Sequence, residues 1–116
     1  MEYRLASSTW DEKELEAINR VIESDKYSMG CQVLQYESDF AKYFGARYAV
    51  MTSSGSTANL LMIASMFFTK DKARRLSRGD EVIVPAVSWS TTYFPLQQCG
   101  LKLIFVDIDR DTLNID

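Results

Sequence analysis

The chain has no histidine, only two cysteines, and no block of lysines or arginines. Each absence removes a class of function. Without histidine, and with Cys31 and Cys99 far apart and outside any CxxC pair, a zinc site lacks its ligands. Two distant cysteines suit a reducing compartment better than a disulfide scaffold. A net charge of −3 with no basic cluster argues against nucleic acid or an acidic membrane surface as a partner. The opening residues Met1-Glu2-Tyr3-Arg4 contain no apolar signal region, and no later apolar run is long enough to span a bilayer. Neither a GxxxxGK(S/T) loop nor a GxGxxG loop occurs, which sets aside the Walker and dinucleotide readings of any phosphate site. What remains is the expectation of a soluble, cytoplasmic protein without a metal.

What is present is an ordinary globular composition: 116 residues, 47% hydrophobic and 25% charged. That is at most one domain, and a small one for an α/β protein. Thr9 followed by Glu12 reads as a capping box, after which Leu15, Ile18, Val21 and Ile22 recur at helical spacing. A second helix is expected over residues 32–44, with Gly45 ending it in a left-handed cap. Beyond residue 45 the pattern changes. Residues 48–52 read as a strand and 56–68 as a helix. Residues 81–84, closed by Pro85, read as a second strand, 88–98 as a helix and 103–106 as a third strand. Pro95 is awkward inside that last helix, which must either start near Thr92 or kink. The unbroken apolar run Leu103-Ile104-Phe105-Val106 suits a strand covered on both faces. The expected class is α/β: a helical lead-in over residues 1–45, then a βαβαβ parallel-sheet unit over 46–116.

One stretch organises the rest. In Val50-Met51-Thr52-Ser53-Ser54-Gly55-Ser56-Thr57-Ala58-Asn59, an apolar strand breaks into small hydroxyl residues around a glycine and resumes as a helix. Such a turn gathers unpaired N–H groups, hydroxyls and a helix N-terminus in one place, which suits a phosphate. Ser and Thr also cap helices that bind nothing, so the turn alone carries only part of the case. Trp89 follows the second strand, at the carboxyl rim where ligands of parallel sheets sit, and its plane suits stacking on a heterocycle. Asp107 and Asp109 follow the third strand at the same rim, where they read more readily as turn caps than as acid or base. Lys42, Lys70, Lys72 and Lys102 sit in polar settings and make poor Schiff-base candidates.

Four motifs in order then resemble one family. They are Tyr36-Glu37 with Phe40-Ala41-Lys42-Tyr43-Phe44-Gly45; Ser54-Gly55-Ser56-Thr57-Ala58; Gly79-Asp80-Glu81-Val82-Ile83-Val84-Pro85-Ala86; and Phe105-Val106-Asp107-Ile108-Asp109 with Thr112, Asn114, Ile115 and Asp116. Together they resemble the DegT/DnrJ/StrS group of pyridoxal-phosphate-dependent sugar aminotransferases, of the aspartate aminotransferase fold. The resemblance covers the chain from about Tyr27 onward and implies the N-terminal part of that fold's large domain. It implies that Gly55, Ser56 and Thr57 hold the phosphate of pyridoxal or pyridoxamine 5'-phosphate, and that Trp89 stacks on its ring. It further implies nucleotide-linked keto-deoxy sugars as substrates in cell-surface polysaccharide synthesis, an amino donor such as glutamate, and a homodimer.

No catalytic residue is expected among these 116, because the family's Schiff-base lysine lies downstream. The segment by itself should therefore be inactive. The run Ser54-Gly55-Ser56-Thr57-Ala58-Asn59-Leu60-Leu61 looks closer to a side branch that includes pyridoxamine-phosphate-dependent sugar 3-dehydratases, which carry histidine in place of that lysine. Aminotransfer is favoured here, as the commoner activity of the family. Dehydration at C3 and a non-catalytic interaction piece are the alternatives.

Overall fold

The structure is a computed structural model that describes residues 6–116; the opening Met1-Glu2-Tyr3-Arg4 lies outside them. The chain divides into two compact units, Met1–Val50 and Met51–Asp116.

The first unit holds two helices, α1 (Glu12–Ser24) and α2 (Cys31–Tyr43). The N-cap of α1 is Asp11 rather than Thr9. Its carboxylate accepts from the Lys13 amide at 2.7 Å, and the Glu14 carboxylate accepts from the Asp11 amide at 2.8 Å. The chain offers a hydroxyl and a carboxylate two residues apart, each followed three residues later by an acid. The charged cap interacts more strongly with the positive end of the helix. Gly45 does terminate α2 in the left-handed region, at φ 65°, while the Ala46 amide donates to the Ala41 carbonyl at 2.8 Å. Three rings meet at a tilt along this helix and its C-cap, with centroids 5.6 Å apart for Tyr36 and Phe40 and 4.6 Å for Phe40 and Phe44.

The second unit contains α3 (Gly55–Phe68), β1 (Glu81–Pro85), α4 (Ser90–Gln98) and β2 (Lys102–Val106). β1 and β2 run parallel, with Val82 opposite Leu103 and Val84 opposite Phe105. The α/β class therefore holds, but the expected first strand does not: residues 48–52 take no part in the sheet, which has two strands among the described residues. A strand exists only where a neighbour meets its backbone groups, and β1 and β2 meet each other. Apolar patterning marks residues fit for a strand without supplying that neighbour.

Period-two alternation decides which side chains enter the core. Val84 is buried with Leu96 and Leu101, and Ile63, Phe67, Leu76, Val82, Tyr93 and Leu103 pack around them. Ile83 and Ile104, paired in register, are exposed. The expected cover on both faces is thus present on one face only among the described residues, the one lined by α3 and α4.

α4 ends in a Schellman motif. The Leu101 amide donates to the Leu96 carbonyl at 3.0 Å and the Gly100 amide to the Gln97 carbonyl at 2.9 Å, with Gly100 at φ 80°. A Cβ at Gly100 would also lie 3.2 Å from the Arg78 side chain. Gly100→Ala is expected to cost about 1–2 kcal/mol of stability, read as a lower urea midpoint with an unchanged slope.

Pro95 lies buried inside α4, and the helix neither starts late nor breaks at it. Proline has no N–H to give the carbonyl four residues back, which is that of Thr91. The vacancy is filled from α3: the Asn59 side-chain amide donates to the Thr91 carbonyl at 3.3 Å.

Candidate functional site

Ser54 caps α3 from extended backbone, accepting from the Thr57 amide at 3.2 Å, while the Thr57 hydroxyl accepts from the Ser54 amide at 3.0 Å. That hydroxyl also donates to the Ser54 carbonyl at 2.9 Å, and the Thr52 hydroxyl donates to the same carbonyl at 3.0 Å. Thr57 is thus occupied, in both amide and hydroxyl, with building the turn. Gly55 and Ser56 are not. Their amides, the first two of α3, have no partner among the described residues, and neither does the Ser56 hydroxyl. A Cβ built on Gly55 meets nothing within 4 Å, so this side of the turn faces open space. No acid lies in the first turn of α3 to compete with an anion. Two outward amides, a hydroxyl and the positive end of a helix form a donor set that fits a phosphate dianion.

Trp89 is the N-cap residue of α4, reached four residues after the end of β1, and the residue is 75% exposed. A large aromatic side chain so exposed contributes little to a core, and its face is free for a ligand. Two contacts fix the helix it begins. The Tyr93 hydroxyl donates to the Pro85 carbonyl at 2.7 Å, and its ring meets Phe105 edge-on with centroids 5.3 Å apart. The Asn59 bond to Thr91 joins the first turns of α3 and α4. Between the two helices lies a groove of about 210 Å³, lined by Ser56, Thr57 and Leu60 of α3 and by Thr91, Phe94 and Gln98 of α4. Ser56 lines this groove, while Trp89 stands at the start of the helix that forms its other wall. Asn59 and Tyr93 were not legible as site-building residues. The available signals were an asparagine, a weak helix former, inside a helix, and a proline demanding an outside donor.

Asp107 and Asp109 do not face this groove. The Asp109 carboxylate accepts from the Thr112 amide at 2.7 Å and the Asp111 amide at 3.1 Å, closing a turn that brings Ile108 opposite Ile115. Hydrogen bonds from the amide and hydroxyl of Thr112 hold its carboxyl below the ordinary value of 3.8. A depressed carboxyl supports folding above its unfolded pKa and loses that contribution as pH falls through the folded value. The Thr112 amide resonance is therefore expected to titrate with a midpoint below 3.8, and Asp109→Asn to abolish the titration. The lysines named above are exposed.

These features define an α/β unit with two unpartnered amides at the start of α3 and an exposed tryptophan at the start of α4. A solved structure of this fold is the Escherichia coli GDP-4-keto-6-deoxy-D-mannose 3-dehydratase with bound hydrated pyridoxal phosphate. It matches at a TM-score of 0.90 and 66% identity over 99% of this chain and 29% of that one. The chain belongs to the DegT/DnrJ/EryC1/StrS aminotransferase family, whose sequence pattern matches residues 8–116. A GDP-4-keto-6-deoxy-D-mannose 3-dehydratase from Yersinia pseudotuberculosis is 70% identical over 98% of the chain. A dTDP-3-amino-3,6-dideoxy-alpha-D-galactopyranose transaminase from Aneurinibacillus thermoaerophilus is 35% identical over 90%. The chain spans 28% of the length of the first of these relatives and 27% of the second.

Proposed function

We propose that this chain is the cofactor-gripping segment of a sugar-nucleotide 3-dehydratase that uses pyridoxamine or pyridoxal 5'-phosphate and acts on a GDP-linked 4-keto-6-deoxy sugar. The observation that carries the reading is the pair of open amides at Gly55 and Ser56 at the start of α3, tied by the Asn59–Thr91 bond to the first turn of α4, where Trp89 is exposed. The choice of dehydration over aminotransfer rests on relatives: 70% identity to a 3-dehydratase against 35% to a transaminase. That reverses the order favoured from the sequence, where the commoner activity of the family decided.

When bound, the cofactor supplies an electron sink for breaking bonds beside the carbon joined to its nitrogen. This chain's residues hold it. Gly55 and Ser56 donate to the phosphate, the Ser56 hydroxyl adds a third donor, and Thr57 keeps the turn closed. Trp89 covers one face of the ring and keeps water from it. The homodimer implied by the resemblance and the cytoplasmic setting expected from the composition belong to the same proposal.

The test is mass spectrometry of the sugar nucleotide after incubation with the full-length protein, pyridoxamine phosphate and glutamate. Loss of the C3 hydroxyl is expected. Nitrogen retained on the sugar would establish the transaminase instead, and an unchanged substrate with no cofactor bound would end both readings.

A further inference from the structure

Three features meet between α3 and α4. Pro95 cannot donate to the Thr91 carbonyl; Asn59 does so at 3.3 Å; and the carbonyl is part-buried, where an unmet acceptor is costly. Asn59 stands four residues after Gly55, on the same side of α3 and about 6 Å along its axis. Thr91 stands two residues after Trp89. The bond thus lies within one or two turns of both gripping elements. A carbonyl only accepts, so the Asn59 amide must present its NH₂ there, and an aspartate of the same shape cannot replace it.

We propose that Asn59 is a positioning residue that sets the span between the phosphate turn at Gly55–Ser56 and the Trp89 indole, through the carbonyl that Pro95 leaves unbonded. This rests on the functional reading above, since the span matters only for a ligand carrying both a ring and a phosphate. Such a ligand gains from both contacts only when they are held at one separation. Inorganic phosphate needs the turn alone and is insensitive to the span.

That difference supplies the test. In the full-length protein, Asn59→Leu is expected to weaken pyridoxamine phosphate about tenfold in a calorimetric titration, with inorganic phosphate affinity unchanged within a factor of two. Pro95→Ala restores an N–H for Thr91 within α4. In that background the effect of Asn59→Leu is expected to shrink to threefold or less, a coupling that a double-mutant cycle measures directly. The thermal melts of the four proteins give the same coupling without any ligand. If both ligands weaken together, or neither does, Asn59 is structural or irrelevant and the proposal fails while the functional reading stands. An equal loss with and without Pro95 also overturns it. If the wild-type protein binds inorganic phosphate but not pyridoxamine phosphate, the functional reading falls and takes this proposal with it.

Discussion

Trp89→Ala is expected to weaken pyridoxamine phosphate binding by the full-length protein about thirtyfold and to leave its melting temperature within about a degree of wild type. The two halves of that expectation come from one observation. Trp89 is 75% exposed, so removal of its indole uncovers no core and opens no cavity. Stacking a heterocycle on an aromatic face is worth about 2 kcal/mol by alanine substitution, which is about thirtyfold in affinity. Trp89→Phe, which keeps a smaller face, should recover most of the loss. Isothermal titration checks the affinity and calorimetric melting the stability. A variant that melts many degrees lower would show that the indole is part of the interior in the working protein, and the platform role would be withdrawn.

Ser56→Asp is expected to have effects of opposite sign on folding and on binding. An acid in the first turn of a helix interacts favourably with the N-terminal end of its dipole, by about 0.5 kcal/mol. α3 has none there, so the variant should melt at the same temperature or slightly higher. The same carboxylate would stand where the phosphate is held. At about 4 Å and an effective dielectric near 20, each pair of like charges costs about 4 kcal/mol, so binding should fall by a hundredfold or more. Ser56→Ala, which removes one donor and adds no charge, should lose only about fivefold. A protein that binds pyridoxamine phosphate equally well with aspartate at position 56 would place the phosphate elsewhere. Raised stability with lost binding is hard to obtain by accident, since damage to the fold lowers both.

Much of the chain was legible because its signals are local. A turn of small hydroxyl residues before an apolar helical run announces a cap, and Ser54 and Thr57 form one reciprocally. Gly45 and Gly100 follow apolar helical runs, and both adopt the positive φ that ends a helix. The Asp109 carboxylate caps the Asp111 and Thr112 amides, as an aspartate after a strand commonly does. Less legible was the choice between equivalent local signals. Thr9 and Asp11 each head a capping pattern, and only the assembled helix shows that Asp11 starts it. Residues 48–52 show a further limit. Their side chains suit a strand, but strandedness belongs to a pair of segments rather than to one.

The amino-acid order by itself determined the α/β class, the family, the hydroxyl-rich turn that opens α3 and the place of Trp89 after a strand. All of these follow from chemistry between residues a few positions apart, or from alternation along a single element. Tertiary structure alone decided which donors of the turn remain free, which face of the sheet is covered, and how α4 accommodates Pro95. The last depends on a bond between residues 32 positions apart. Nothing near Thr91 in the chain announces its donor, because packing between two helices, and not neighbourhood in sequence, brings the Asn59 amide to a carbonyl that proline had left unmet.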